Sequence, residues 1–216
     1  HPRSTLFPYT TLFRSVNVVR GGPGLGTIQP AQSDYFQAVK GGGHGDYKLI
    51  VLAPNSVQEM NDFVDLGFEL AFKYRNPVMI LSDGIIGQMM EKVEVSDYKP
   101  RMTDEFIAKN YGSWATTGKT KDRKHNTVTS LELDSSRQEV FNHKLQAKYA
   151  TIQEKEVRLE TYKTEDAEYL IVAYGSSSRI SKKAVEIARA KGIKVGLVRP
   201  ITLFPFPNKE LLGFSK

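Results

Sequence analysis

Two short runs of unbroken apolar residues, 49–53 (LIVLA) and 77–82 (PVMILS), flank one long amphipathic stretch. This arrangement constrains the fold more than any other feature. Runs without polar alternation read as strands covered on both faces of a sheet. The stretch between them opens on Ser56-Val57-Gln58-Glu59, a capping box in which the Ser hydroxyl accepts an N–H three residues on and the Glu reaches back. Met60, Phe63, Val64, Gly67, Leu70 and Ala71 then fall on one helical face. Asn76-Pro77 stops the helix near Arg75. Strand, helix and strand joined by short connections form a crossover unit, which demands a parallel sheet.

The same grammar recurs. Residues 16–19 form a short β-branched strand, followed by a glycine loop at 21–26 and a short helix at 32–40. Residues 168–174 (EYLIVAY) and 193–198 predict two further strands. Between them lie a tight loop at Gly175-Ser176-Ser177-Ser178, a helix over 180–190, and a helix stop at Lys191-Gly192. Residues 91–126 lose the pattern and read as an excursion. A helix over 136–162 follows, lined by Phe141, Leu145, Tyr149 and Ile152. Residues 199–207 hold too much proline for a helix or a central strand, and read as an extended segment with exposed aromatics. The predicted fold class is α/β: two modules with parallel sheets, at 16–92 and 164–216, joined by a linker excursion and long helix at 93–163.

Composition narrows the function. The chain has 216 residues, 40% hydrophobic and 25% charged, and no cysteine. Such a chain can bury a core. It has no disulfide, no thiolate-held iron–sulfur cluster and no Cys-based zinc site. Absent cysteine fits a reducing cytoplasm. No apolar run approaches the roughly 20 residues of a membrane span. The net charge is +6, but acids intersperse the bases. The one basic run, 119–124, has no interleaved aromatics and reads as a solvated loop, so neither nucleic acid nor membrane is expected as a partner.

Residues 1–15 (HPRSTLFPYTTLFRS) repeat Thr-Leu-Phe without periodicity. They resemble a common sequencing adaptor translated in one frame, and lack the order of a signal peptide. They are expected to be artefactual and to pack poorly, with the chain proper starting at Val16 inside a strand.

Three local patterns could carry chemistry. Arg20 sits at a strand end before Gly21-Gly22-Pro23-Gly24-Leu25-Gly26-Thr27. Ligands collect at such ends of parallel sheets, and a guanidinium suits a planar carboxylate. An ordinary glycine turn with a surface arginine explains the residues equally well. His44 and Asp46 lie among glycines in a second loop; they could hold a substrate or be structural, and no third ligand stands at metal-site spacing. The 175–178 loop precedes a helix, so its N–H groups could hold an anion, as any strand–loop–helix could.

Longer motifs carry a resemblance. RGGPGLGTIQPAQSDYFQAVKGGGHGDYKLIVLAP and KYRNPVMILSDGIIGQMMEKVE resemble the pyrimidine-side subunit of thiamine-diphosphate-dependent 2-oxoacid:ferredoxin oxidoreductases. LIVAYGSSSRISKKAVEIARAKGIKVGLVRPITLFPFP resembles that subunit's second, transketolase C-terminal-like domain. Gly24 and Leu25, where relatives often have Ser-Thr, point to the branched-chain (2-oxoisovalerate) type. The resemblance implies oxidative decarboxylation of a 2-oxoacid, with coenzyme A taking the acyl group and ferredoxin the electrons. It implies a thiamine-diphosphate-binding partner subunit that holds the diphosphate and Mg, a gamma-type subunit, and a ferredoxin-like subunit with iron–sulfur clusters. It assigns Arg20 to the substrate carboxylate and places Thr27, His44 and Asp46 in the substrate site. Catalytic residues are expected upstream or in the partner subunit, so this chain is expected to be inactive alone. The alternatives are a 2-oxoglutarate:ferredoxin oxidoreductase subunit, a transketolase-like enzyme, and a non-catalytic α/β binding module.

Overall fold

The computed structural model describes residues 13–98, 100, 102–115, 126 and 131–214. Residues 1–12 and the basic run at 119–124, both singled out above, lie outside the described residues. In chain order the elements are β1 (Phe13–Val19), α1 (Tyr35–Lys40), β2 (Ile50–Leu52), α2 (Val57–Tyr74) and β3 (Val78–Asp83). Then come α3 (Gly84–Gln88), α4 (Asp104–Tyr111), α5 (Ser135–Lys155) and β4 (Leu159–Tyr162). The chain closes with β5 (Tyr169–Val172), α6 (Gly175–Ala190), β6 (Val195–Pro200), β7 (Thr202–Phe204) and α7 (Asn208–Leu212).

Two sheets result. The first has the order β1-β3-β2-β7. β1 and β2 both run parallel to β3, as the crossover pattern requires. Ile50, Val51, Leu52, Val78 and Ile80 are fully buried, each such side chain contributing roughly 1.5–3 kcal/mol. Helix α2 covers this sheet with Phe63, Gly67, Leu70 and Ala71; Val64, expected on the same face, is 37% exposed. The Ser56 hydroxyl accepts the Glu59 N–H as predicted, at 3.2 Å. Glu59, however, takes the N–H of Asn55 at 2.8 Å, one residue further back than a capping box provides. β1 begins at Phe13, so its ladder with Val78 and Met79 includes Phe13 and Ser15 of the segment set aside above.

The second sheet has the order β4-β6-β5, with β5 parallel and β4 antiparallel to β6. Three expectations are corrected here. The long helix ends at Lys155, and residues 159–162 pair with β6 instead, because a ladder to 197–200 satisfies their backbone groups across the sheet. Of that helix only Tyr149 and Ile152 are buried, while Phe141 is 56% exposed. The serines of 175–178 are not a loop but the first turn of α6.

The proline-rich segment supplies the largest surprise. β7 leaves the second module and adds to β2 antiparallel, as the edge of the first sheet, where flanking prolines cost no ladder bond. Phe204 is 8% exposed, against the expectation of exposed aromatics, and its ring meets Tyr149 edge-on at 6.3 Å. A strand from the 164–216 range thus completes the first sheet. Within the irregular excursion, Thr103 caps the short helix α4 by accepting the Phe106 N–H at 3.2 Å. No helix among the described residues is long and apolar enough to cross a membrane.

Candidate functional site

Because β1, β3 and β2 run parallel, their C-terminal ends bring Arg20, Asp83 and residues 53–55 to one edge. Such edges are where α/β sheets bind ligands. Arg20 is exposed there and forms a bridge with Pro30. The loop it opens is tightly closed: the Gly21 N–H donates to the Gln29 carbonyl at 2.8 Å, and the Thr27 N–H to the Gly21 carbonyl at 2.8 Å. The glycines are there for close approach as well as for φ. Gly26 sits at φ 58, and a Cβ on it would lie 1.8 Å from the Gly21 carbonyl oxygen. The Thr27 hydroxyl accepts the Gln29 N–H at 3.3 Å on the exposed side of this loop. Arg20 and Thr27 thus belong to one structural unit.

Asp83 organises the edge. It is 3% exposed, and N–H groups surround its carboxylate. Oδ1 accepts the Ile85 and Ile86 N–H groups at 3.1 Å each, capping α3. Oδ2 accepts the Ser176 N–H at 2.9 Å, at the start of α6 in the other module. Partial positive charge at a helix N-terminus favours an anion. Here that anion is the chain's own aspartate, held on the Ser176 N–H. Gly175 lies at φ 58, and a Cβ there would come within 2.9 Å of both Asp83 Oδ2 and Gln32 Nε2. Gln32 completes the junction: its Nε2 donates to the Tyr174 carbonyl at 3.0 Å, and its Oε1 accepts from the Ser177 hydroxyl at 3.2 Å. Tyr174 stacks on Tyr35 with centroids 6.0 Å apart. Its hydroxyl is pushed up to about 12, by burial first and then by Tyr35 and Asp83, so it remains a neutral donor.

His44 and Asp46 lie apart from Arg20. Their loop joins α1 to the start of β2, so it lies at the N-terminal edge of the sheet, opposite Arg20. Residues 49–53 at ~3.3 Å per residue put roughly 13 Å of strand between the two edges. His44 and Asp46 instead line a cavity of about 590 Å³ with Leu131, Gln138, Phe141 and Leu145, against α5. The motif proximity of Arg20 and His44 in the sequence does not survive the parallel crossover. Arg20 and Thr27 stay as candidates at the C-terminal edge, and His44 and Asp46 do not join them.

Sequence reasoning missed Arg199. It is 2% exposed, on β6, and ties the modules together. Nη1 donates to Glu59 Oε1 at 2.9 Å and Glu160 Oε2 at 3.0 Å; Nη2 donates to Glu59 Oε2 and to the Ala53 carbonyl at 3.1 Å. Its Nε is buried without a partner. The signal was available: an arginine inside an apolar run, VGLVRP, needs buried acids. At the C-terminal end of α5, Glu156 does comparable work between that helix and α2. Burial by itself would raise its carboxyl, but hydrogen bonds from Lys73, Tyr74 and Arg158 outweigh that and hold it below the ordinary carboxylate range.

A family model described as "Pyruvate flavodoxin/ferredoxin oxidoreductase, thiamine diP-bdg" matches residues 13–163. The chain belongs to the pyruvate flavodoxin/ferredoxin oxidoreductase family. A second model, "Pyruvate:ferredoxin oxidoreductase core domain II", matches residues 167–216. Among relatives of this chain, the ketoisovalerate oxidoreductase subunit VorB of Methanothermobacter marburgensis is 55% identical over 196 residues, covering 91% of this chain and 54% of that protein. The 2-oxoglutarate synthase subunit KorA of Methanocaldococcus jannaschii is 36% identical, covering 91% and 58%. A solved 2-oxoglutarate:ferredoxin oxidoreductase from Magnetococcus marinus, with 2-oxoglutarate, coenzyme A and succinyl-CoA bound, superposes with a TM-score of 0.72 at 27% identity, covering 93% of this chain and 39% of that one. The chain spans about half the length of the curated relatives it matches.

The residues present fit some of the groups this family implies and not others. Asp83 takes the Ile85 and Ile86 N–H groups at the start of α3 and the Ser176 N–H at the start of α6, so a carboxylate of the chain already sits where a diphosphate would approach these N–H groups. Among the described residues no three His, Cys, Asp or Glu side chains converge to hold a metal, and the chain has no thiolate for an iron–sulfur cluster. An exposed cation at a strand end, Arg20, does fit a carboxylate.

Proposed function

We propose that this chain is part of the pyrimidine-side subunit of an oxidoreductase that decarboxylates a branched-chain 2-oxoacid to its acyl-CoA, passing electrons to ferredoxin. The observation that carries the substrate class is the difference in likeness: 55% identity to a ketoisovalerate subunit against 36% to a 2-oxoglutarate subunit, at equal coverage of this chain. Thiamine diphosphate, when bound, supplies the carbanion chemistry of decarboxylation. We assign the diphosphate, Mg and the iron–sulfur clusters to partner chains: a thiamine-diphosphate-binding subunit, a gamma-type subunit and a ferredoxin-like subunit. Coenzyme A and ferredoxin are then co-substrates of the assembled complex, and the cysteine-free composition fits a cytoplasmic setting.

The work of this chain is to hold the substrate. Arg20 presents a planar fork to the 2-oxoacid carboxylate from the strand end, and Thr27 lies on the same tightly closed loop. Fixing the carboxylate orients the 2-oxo carbon for attack, an effect of position rather than proton transfer. The test is a ferredoxin-linked assay of the complete complex, built on the full-length subunit. The expected result is a kcat/KM for 2-oxoisovalerate well above that for 2-oxoglutarate. Equal turnover, or a preference for the dicarboxylate, would return the assignment to the 2-oxoglutarate class.

A further inference from the structure

We propose that Gln32 is a positioning residue through which the second module sets the geometry of the Arg20 loop; the inference rests on Arg20 binding the substrate carboxylate. The loop from Arg20 to Pro30 is closed at its base by the Arg20–Pro30 bridge and by the Ala31 N–H donating to the Val19 carbonyl at 3.3 Å. Gln32 is the first residue past that closure. Its amide does not bond to its own loop. It reaches across to the first turn of α6, donating to the Tyr174 carbonyl at 3.0 Å and accepting from the Ser177 hydroxyl at 3.2 Å, 142 and 145 residues away in the chain. Asp83 Oδ2 stands 3.5 Å from the same Nε2 and holds the Ser176 N–H at 2.9 Å. The close approach requires Gly175, where a Cβ would come within 2.9 Å of Gln32 Nε2. Gln32 thus has both ends of its amide engaged on the other module, and it stands two residues from Pro30, the bridge partner of Arg20. Moving α6 relative to the first sheet would move the base of the loop with it.

The chemistry of each group makes the inference testable. Gln32→Leu keeps the bulk and removes the two neutral hydrogen bonds, to Tyr174 and Ser177, together with the longer one to Asp83. Loss of one or two neutral bonds should raise KM for every 2-oxoacid by about 3- to 10-fold, with kcat within about twofold, since the reacting atoms are not touched. Ser177→Ala, at an exposed position that endangers folding least, should raise KM about twofold by the same reasoning. Both effects should vanish in an Arg20→Ala background, because a residue that acts through Arg20 has nothing left to position.

The measurement is a double-mutant cycle on KM and kcat in the complete complex, with 2-oxoisovalerate and a shorter 2-oxoacid. An unchanged KM in Gln32→Leu, beside a raised KM in Arg20→Ala, overturns the positioning role alone. An equal rise in KM with and without Arg20 marks general damage and also overturns it. Arg20→Ala without effect removes the underlying reading as well. Should Gln32→Leu fail to assemble, Ser177→Ala and Gln32→Glu carry the same cycle. The glutamate can still accept from Ser177, but it cannot donate to Tyr174 and faces Asp83, so it should behave as the leucine does.

Discussion

Replacing Asp83 by asparagine tests whether one carboxylate holds the two modules in register. The amide oxygen can keep the local cap on Ile85 and Ile86, which sit at 3.1 Å from Oδ1. The new NH2 then faces two donors, the Ser176 N–H and the Gln32 amide, where Oδ2 had accepted at 2.9 and 3.5 Å. Ser176 is 8% exposed, so its N–H loses a partner and gains little water. An orphaned buried donor costs about 1–3 kcal/mol, and loss of the negative charge at the start of α6 costs a further ~0.3–1 kcal/mol. Relief of the desolvation of a buried carboxylate opposes both. The hydrogen-bond loss wins, since the charge was fully solvated by N–H groups, and the net cost is about 2 kcal/mol. For a chain of this size that lowers Tm by roughly 4–8 °C. The assay is urea unfolding of the wild type and the variant, with hydrogen exchange read at the Ser176 amide. The variant should lose protection there first, before the Ile86 amide does. Stability within about 0.5 kcal/mol of wild type, with the Ser176 amide still protected, would refute the reasoning.

Three further outcomes follow from the same geometry. Arg20→Ala in the complete complex should lower kcat/KM for all 2-oxoacids by about 10- to 150-fold, and Arg20→Lys should recover only part, because a point charge lacks the planar fork; unchanged turnover would remove Arg20 from the site. Arg199→Met, which strands two partly exposed acids but relieves the unpaired Nε, should cost about 2–4 kcal/mol in chemical denaturation, and a neutral result would mean the ion cluster adds nothing to module docking. Glu156→Gln should cost about 1–3 kcal/mol at neutral pH. Since the folded carboxyl lies below its unfolded value, its contribution is present above about pH 4.3 and disappears as pH falls through the folded value, so the gap between wild type and variant should close only on the acid side. A gap that stays constant from pH 7 to below pH 3 would count against it.

Local signals predicted what local physics controls. The crossover unit, the Ser56 cap and the parallel strands were readable because apolar continuity, a hydroxyl at the N-cap and a Pro stop act within a few residues of themselves. The α6 start was misread because serines are poor in helix interiors, while the acceptor that takes a first-turn backbone N–H there, Asp83, is 93 residues away from Ser176. The 159–162 strand was read as helix because its charge pattern fits either, and only the ladder to β6 decides. His44 shared a motif with Arg20 but not an edge, because a parallel connection must carry the chain back across the sheet before the next strand begins.

The sequence by itself determined the fold class, the place of Arg20 at a strand end and, through its long motifs, the family. Tertiary structure alone decided that β7 returns to the first sheet, that Arg199 and Asp83 bind the modules to each other, and that Gln32 ties the Arg20 loop to α6. The physical reason is range. Periodicity and caps are energies between near neighbours in the chain. A buried charge or amide is stable only with its partners, and these come from wherever folding brings them together.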